Sequence, residues 1–237
     1  MLVGRKYTEP SHITSRICGI CSVAHTFTSI KATEDALGVK LNDFIIKLRK
    51  LVNYGECIQS NCLHVYFLAA PDFLGVGSVV PLIETNPAVV NIAVKMKKIA
   101  NEMVRIIGGR AVHPITTVVG GFTKIPSEEE LLKLKDMLLS LYPDIETSVE
   151  VLKTLKVPDF ERETEYICIY DEKEYNLYDG DLKSSDGWII KPQDYLSKIN
   201  EKVVKHSTGK HCWASRDSFM VGSLARTNNN FEQYFSS

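Results

Sequence analysis

No apolar run in this chain approaches the ~20 residues that a bilayer-spanning helix needs; Val65 to Ala70 is typical of its longest. Neither sign of charge is in excess, with 28 Lys and Arg against 29 Asp and Glu. That balance argues against a nucleic-acid-binding face and against a solvating acidic tail. Met1 to Pro10 has Arg5 and Lys6 but no apolar stretch behind them, which does not fit a secretory signal. Low-complexity tracts and internal repeats are absent. Cysteine is sparse, six in 237 residues, where a disulfide scaffold would be shorter and denser. These absences point to a cytoplasmic globular chain, long enough to bury a core in one large domain or two small ones.

What is there reads as mainly helical with a small β excursion. Val23, Phe27, Ile30, Glu34 and Leu37 fall at helical spacing, with Gly38 placed as a C-terminal cap. A second helix is traced by Leu41, Phe44, Ile45, Leu48, Leu51, Ile58, Cys62 and Val65, with Pro71 as its expected limit. Asn86 and Pro87 open a third, striped by Val89, Ala93, Met96, Ala100, Met103 and Ile107 and closed by Gly108-Gly109. Ser127 and Glu130 form a capping-box pattern for a fourth, ending by Pro143, and a fifth covers 144–155. Tyr166 to Tyr170 and Trp188 to Ile190, separated by turn-rich sequence, read as strands. From Pro192 the spacing turns helical again, then polar. The expected organisation is a helical core over 1–157, a β excursion over 158–191, and a helical and polar part over 192–237.

One segment carries chemistry: Ser15-Arg16-Ile17-Cys18-Gly19-Ile20-Cys21-Ser22-Val23-Ala24-His25. Two cysteines three apart at a helix start place both sulfurs on one side of the first turn. Unpaired backbone N–H groups and the positive end of the helix dipole lie there too, and both favour thiolate. His25, one turn after Cys21, is placed to donate a hydrogen bond back to that sulfur. Arg16 adds fixed positive charge. A lone CxxC is compatible with metal binding or with dithiol redox chemistry, and there is neither a second CxxC to complete a zinc site nor a preceding βαβ unit of thioredoxin type.

Arg-x-Cys-Gly-x-Cys-x-x-x-His over Arg16–His25, followed by Lys31-Ala32-Thr33-Glu34, resembles the first of the two cysteine motifs of nickel–iron hydrogenase large (alpha) subunits. His64-Val65-Tyr66-Phe67-Leu68-Ala69-Ala70-Pro71-Asp72 is similar to that family's next helix. Gly108-Gly109-Arg110-Ala111-Val112-His113-Pro114 with Gly120-Gly121, and Gly222-Ser223-Leu224-Ala225-Arg226, resemble later segments in the family's order. The resemblance implies a large-subunit-like helical core, incomplete here. It also implies reversible oxidation of H2 to protons and electrons at a nickel–iron centre whose iron carries CO and cyanide. Cys18 would be a terminal nickel ligand and Cys21 a nickel–iron bridge, two of four thiolates. His25 would tune the bridging sulfur and Arg16 would lie close by. His113 would sit near the electron exit toward a small subunit holding iron–sulfur clusters. Gln59-Ser60 and Ala70-Pro71-Asp72-Phe73 look most like the soluble, multi-subunit cytosolic group, although Ser60 and Asn61 stand where other members have Asp and His. The family's C-terminal CxxC and its N-terminal segment are missing, so the chain is expected to be either a split subunit completed by a separate chain or a fragment, inactive alone.

Two other readings compete: a non-catalytic helical scaffold derived from the family, and a CxxC dithiol redox module. The cysteines Cys57, Cys62, Cys168 and Cys212 are expected to be structural, as are Met96 and Met103. His206, Lys210 and His211 fit a solvated loop.

Overall fold

The computed structural model describes residues 2–236, with side chains described for residues 2–233. The chain is predominantly helical and divides into two compact units, Met1–Pro158 and Asp159–Ser237.

The first unit begins with α1 (Pro10–Thr14) and a 3₁₀ turn, Ser15–Ile17, before α2 (Ser22–Leu37). Gly38 ends α2 as expected, at φ 67°, a conformation that only glycine adopts without strain. The next helix, α3 (Asp43–Cys62), starts where the Asn42 side chain accepts the Ile45 N–H at 2.9 Å. Pro71 does not end it. The backbone widens into a π-helical stretch over Leu63–Ala69 and resumes as α4 (Ala70–Phe73). The i→i+5 pattern changes which N–H groups must be paired, and so accommodates a residue without one.

A short α5 (Leu82–Thr85) leads into α6 (Pro87–Gly108). Pro87 and Gly109, at φ 79°, bound α6 as the sequence indicates, but the Asn86 side chain makes no capping hydrogen bond. The antiparallel pair β1 (Thr117–Val118) and β2 (Gly121–Phe122) follows, then α7 (Glu128–Leu139) and α8 (Tyr142–Lys153). The expected capping box is present: Ser127 Oγ accepts the Glu130 N–H at 3.2 Å and Glu130 Oε2 accepts the Ser127 N–H at 2.8 Å.

The core of this unit is the crossing of α3 and α6, with α2 packed alongside. Val23, Phe27 and Ile30 of α2, Leu48 and Val52 of α3, and Ala93, Ala100, Met103, Val104 and Ile107 of α6 are buried. Gly55 lets the two long helices approach, because a Cβ there would stand 2.9 Å from Val104 Cγ2 and 3.3 Å from the Ala100 carbonyl. The buried face of α3 is only partly the apolar one: Leu48, Val52 and Cys62 are inside, but Phe44 is half exposed, and Arg49, Glu56 and Gln59 are buried alongside them. Arg49 forms a two-point ion pair with Glu34 of α2 at 2.6 and 2.8 Å. Its guanidinium also donates to the Val118 carbonyl, and Glu34 accepts the Gly120 N–H. One buried ion pair thus ties α2, α3 and the β1–β2 turn together.

The second unit is built on β3 (Glu165–Tyr170), β4 (Asp181–Ser184), β5 (Ile189–Ile190) and β8 (Phe219–Met220), in spatial order β5-β4-β3-β8. The pair β3–β4 is antiparallel, with Cys168 opposite Lys183, and β8 runs parallel to β3. Glu165 is fully buried, and its carboxylate is satisfied by the hydroxyls of Ser184 and Ser215 and by the N–H groups of Ser215 and Arg216. The helical spacing from Pro192 yields only a 3₁₀ segment, Pro192–Ser197. Beyond it lies an antiparallel ribbon of β6 (Asn200–Lys202) and β7 (His211–Trp213). Cross-strand partners favour the ribbon: Lys210 Nζ lies 3.0 Å from Glu201 Oε2, and Lys202 Nζ sits over the Trp213 ring. Helix returns at α9 (Ser223–Asn229) and α10 (Phe231–Ser236). The Asn229 side-chain amide donates to the Tyr166 and Lys183 carbonyls, docking α9 on the sheet.

Candidate functional site

The CxxC lies in the loop before α2 rather than on its first turn, with Cys21 at the N-cap position. Gly19 and Ile20 turn the chain so that two backbone N–H groups converge on Cys18 Sγ, from Cys21 at 3.2 Å and from Ile20 at 3.4 Å. The Cys18 thiol is held below its ordinary pKa, first by a hydrogen bond from the Cys21 side chain and then by these N–H groups. Cys21 moves the other way. Desolvation leads, and its bond to Cys18 adds to it, pushing the thiol up to about 11. The helix start therefore does not lower both thiols, as the spacing suggests. The environment favours the thiolate at Cys18 over Cys21.

Three side chains from distant parts of the sequence hold this loop. Cys21 makes no side-chain cap of its own. Glu56 of α3 takes that place: Oε1 accepts the Val23 N–H at 2.5 Å and Oε2 the Ala24 N–H at 2.9 Å. Burial raises the Glu56 carboxyl to about 7, with the two N–H bonds pulling the other way. Gln59, one turn along α3, donates from Nε2 to the Ile20 carbonyl at 2.9 Å, and its Oε1 accepts from Lys97 Nζ of α6 at 2.8 Å.

His113 supplies the third hold. Its backbone N–H donates to Ser22 Oγ at 2.9 Å, and its Nδ1 lies 2.9 Å from the Ser15 carbonyl. A carbonyl only accepts, so Nδ1 carries the proton in this bond. Among the described residues His113 is the one non-glycine with positive φ, 57°, a conformation that costs free energy and persists where its surroundings impose it. Ser15 and Ser22 bracket the cysteines, so His113 clasps the loop at both ends.

Of the residues that the sequence singled out, the structure brings Cys18, Cys21 and His113 together. His25 is linked to Cys21 through its backbone N–H, 3.2 Å from the Cys21 carbonyl, and its ring makes no hydrogen bond to the sulfur among the described residues. Arg16 is exposed. Glu56, Gln59 and Lys97 were not singled out as residues of the site. For Glu56 and Gln59 the signal was present as polar residues of α3 at helical spacing with Leu48, Val52 and Cys62.

All six cysteines are free. Cys62 is buried and points its thiol at the Ala93 carbonyl, 3.2 Å away. Among the described residues no group of three or more His, Cys, Asp or Glu side chains is gathered to hold a metal ion, and no helix is long and apolar enough to cross a membrane.

Residues 1–91 match the family model described as nickel-dependent hydrogenase. The alpha subunit of sulfhydrogenase 1 from Pyrococcus furiosus is 34% identical over 230 residues, 96% of this chain and 54% of that protein. One subunit of the vhu F420-non-reducing hydrogenase from Methanocaldococcus jannaschii is 35% identical over 255 residues, 96% of this chain and 60% of that protein. Among solved structures, an NAD+-reducing [NiFe]-hydrogenase in the H2-reduced state superposes with a TM-score of 0.88 at 26% identity, over 96% of this chain and 56% of that one. The Ni-Fe-Se hydrogenase of D. vulgaris Hildenborough gives a TM-score of 0.73 at 25% identity, over 96% of this chain and 58% of that one. The chain spans just over half the length of these relatives.

Proposed function

Since this chain is a homologue of nickel–iron hydrogenase large (alpha) subunits over part of their length, we propose that it supplies half of the cysteine cage of a nickel–iron centre and works in reversible H2 oxidation. The observation that carries the reading is the Cys18–Cys21 loop, held by Glu56, Gln59 and His113 with both thiols free.

The donor set fits such a centre in part. Two soft thiols on one rigid loop suit nickel and iron, and two are too few to enclose a metal alone. The remaining two thiolates come from the part of the large subunit that this chain does not span, whether on the same polypeptide or on a separate one. When bound, the nickel–iron group, its iron carrying CO and cyanide, supplies the redox site for splitting and forming H2.

The protein's own contributions follow from the geometry. Cys18 and Cys21 would hold the group, as two of its four thiolates. Cys18 Sγ would be the atom able to hold a proton from H2. Glu56 and His113 keep the loop from rearranging as that proton comes and goes. His25 and Arg16 lie in the sequence segment around the centre, and His113 marks the side facing a small subunit that carries iron–sulfur clusters. The assembly works in the reducing cytoplasm, where free thiols persist.

The test is metal analysis of the assembled complex. Wild type is expected to hold stoichiometric nickel, and Cys18→Ser or Cys21→Ser to lose it together with H2 oxidation. Nickel retained in either variant would overturn the reading, as would stoichiometric nickel in the isolated chain. A dithiol redox role would show instead as a Cys18–Cys21 disulfide of defined potential with no metal in any assembly.

A further inference from the structure

Gln59 is buried, 5% exposed, and an amide in such a place must satisfy both its ends. Its two partners leave the orientation unambiguous. Lys97 only donates and the Ile20 carbonyl only accepts, so Oε1 faces the ammonium and Nε2 faces the loop. The Ile20 carbonyl and the Cys21 N–H are opposite ends of one planar peptide group. That N–H is the closer of the two donors on Cys18 Sγ. Lys97 Nζ, the Gln59 amide, the Ile20–Cys21 peptide and Cys18 Sγ therefore form one unbroken chain of donors and acceptors, crossing from α6 through α3 to the loop.

We infer that Lys97 and Gln59 are positioning residues that act on Cys18 through this chain, fixing the Ile20–Cys21 peptide and strengthening its N–H bond to the Cys18 sulfur. Each bond in such a chain polarises the next, by on the order of 10–30% per bond. A positive charge at Lys97 draws density toward Gln59 Oε1, which makes Nε2–H a better donor. The loaded Ile20 carbonyl in turn makes the Cys21 N–H a better donor to sulfur. Lys97 thus influences a thiol that it does not touch. The significance for metal chemistry rests on the reading of Cys18 as a nickel ligand. The relay itself rests only on the hydrogen bonds.

Three variants of the full chain separate a relay from simple packing. Gln59→Glu keeps the volume and the contact with Lys97 but replaces the Nε2 donor with a carboxylate oxygen that repels the Ile20 carbonyl. Lys97→Met removes the charge, and Lys97→Arg restores a charged donor. Hydrogen–deuterium exchange of the peptide spanning 18–24 is the readout, referenced to peptides elsewhere in the chain. Exchange in that peptide is expected to quicken by about fivefold in Gln59→Glu, the size of one lost hydrogen bond, by less in Lys97→Met, and to return to wild type in Lys97→Arg. In the assembled metal-loaded complex, the midpoint potential should fall in Lys97→Met, because a sulfur with a weaker N–H bond is more electron-rich, and recover in Lys97→Arg. Unchanged exchange in Lys97→Met, or no restoration by Lys97→Arg, would overturn the inference even if Gln59→Glu failed to fold. If exchange responds as stated while no assembly binds nickel, the relay stands and the functional proposal falls.

Discussion

Replacing Arg49 with methionine tests the claim that polar contacts inside the helical unit, and not only apolar burial, fix α2 in place. The Arg49 side chain is fully buried and its partner Glu34 is 7% exposed, with nitrogen–oxygen distances of 2.6 and 2.8 Å. In Arg49→Met the stem is replaced by a side chain of similar reach. The Glu34 carboxylate then keeps the Gly120 N–H, 2.8 Å away, but loses its counter-charge. The Val118 carbonyl loses its guanidinium donor as well. Removing one member of a buried ion pair costs about 3–5 kcal/mol, a large share of the stability of an ordinary domain. Urea denaturation followed by far-ultraviolet circular dichroism should show the unfolding free energy falling by that amount, as a lower midpoint with little change in slope. The double variant Glu34→Leu with Arg49→Met removes both charges and should recover most of the loss, because the desolvation cost disappears with them. A loss below about 1 kcal/mol in Arg49→Met, or a double variant no more stable than the single, would refute the assignment of the pair as the joint between α2 and α3.

Gly55→Ala should destabilise the same unit by about 1–3 kcal/mol in chemical denaturation, since the new methyl meets Val104 Cγ2 at 2.9 Å and Met103 Cγ at 3.2 Å. Adding Val104→Ala should return part of that loss; no recovery would mean that α3 and α6 do not pack through this point. Glu56 gives a pH signature in the metal-free chain. Its folded pKa, about 7, lies above the ordinary 4.5, so the folded state binds more protons between those values and stability falls as pH rises through them, by on the order of 3 kcal/mol. In Glu56→Gln that decline should vanish, and a denaturation profile from pH 4 to 8 with the same slope as wild type would contradict it.

The sequence made legible those features that depend on local rules. Gly38, Pro87, Gly109 and the Ser127–Glu130 box mark helix ends because each satisfies or avoids a backbone hydrogen bond within a few residues of itself. The CxxC and His113 were visible as motifs. The inward face of α3 was legible only in part: an apolar-stripe reading selects the buried Leu48 and Cys62 but also the half-exposed Phe44, and passes over Arg49, Glu56 and Gln59, whose burial depends on partners 15 or more residues away in sequence. Pro71 misled for a related reason: a proline ends an α-helix by local rule, but a π-helical stretch ahead of it changes the rule. The positive φ of His113 likewise follows from Ser15 and Ser22 rather than from its own neighbours. Local chemistry writes helix ends into sequence; a site assembled from distant segments is written in pairs that no single window contains.

That distinction bears on how a thiol loop without regular structure holds a defined shape. A CxxC turn by itself is a soft feature, and Gly19 softens it further. In this chain its shape is inherited. Glu56 and Gln59 lie one turn apart on α3, so the N–H groups of Val23 and Ala24 and the carbonyl of Ile20 are all referred to one rigid helix. That helix is in turn fixed to α6 at Gly55 and to α2 by Glu34 and Arg49. A shift of α3 along its axis would therefore strain both ends of the loop at once. On the proposed reading, sulfurs held in this way would need little reorganisation on metal binding, so that little of the metal's binding energy goes into ordering them.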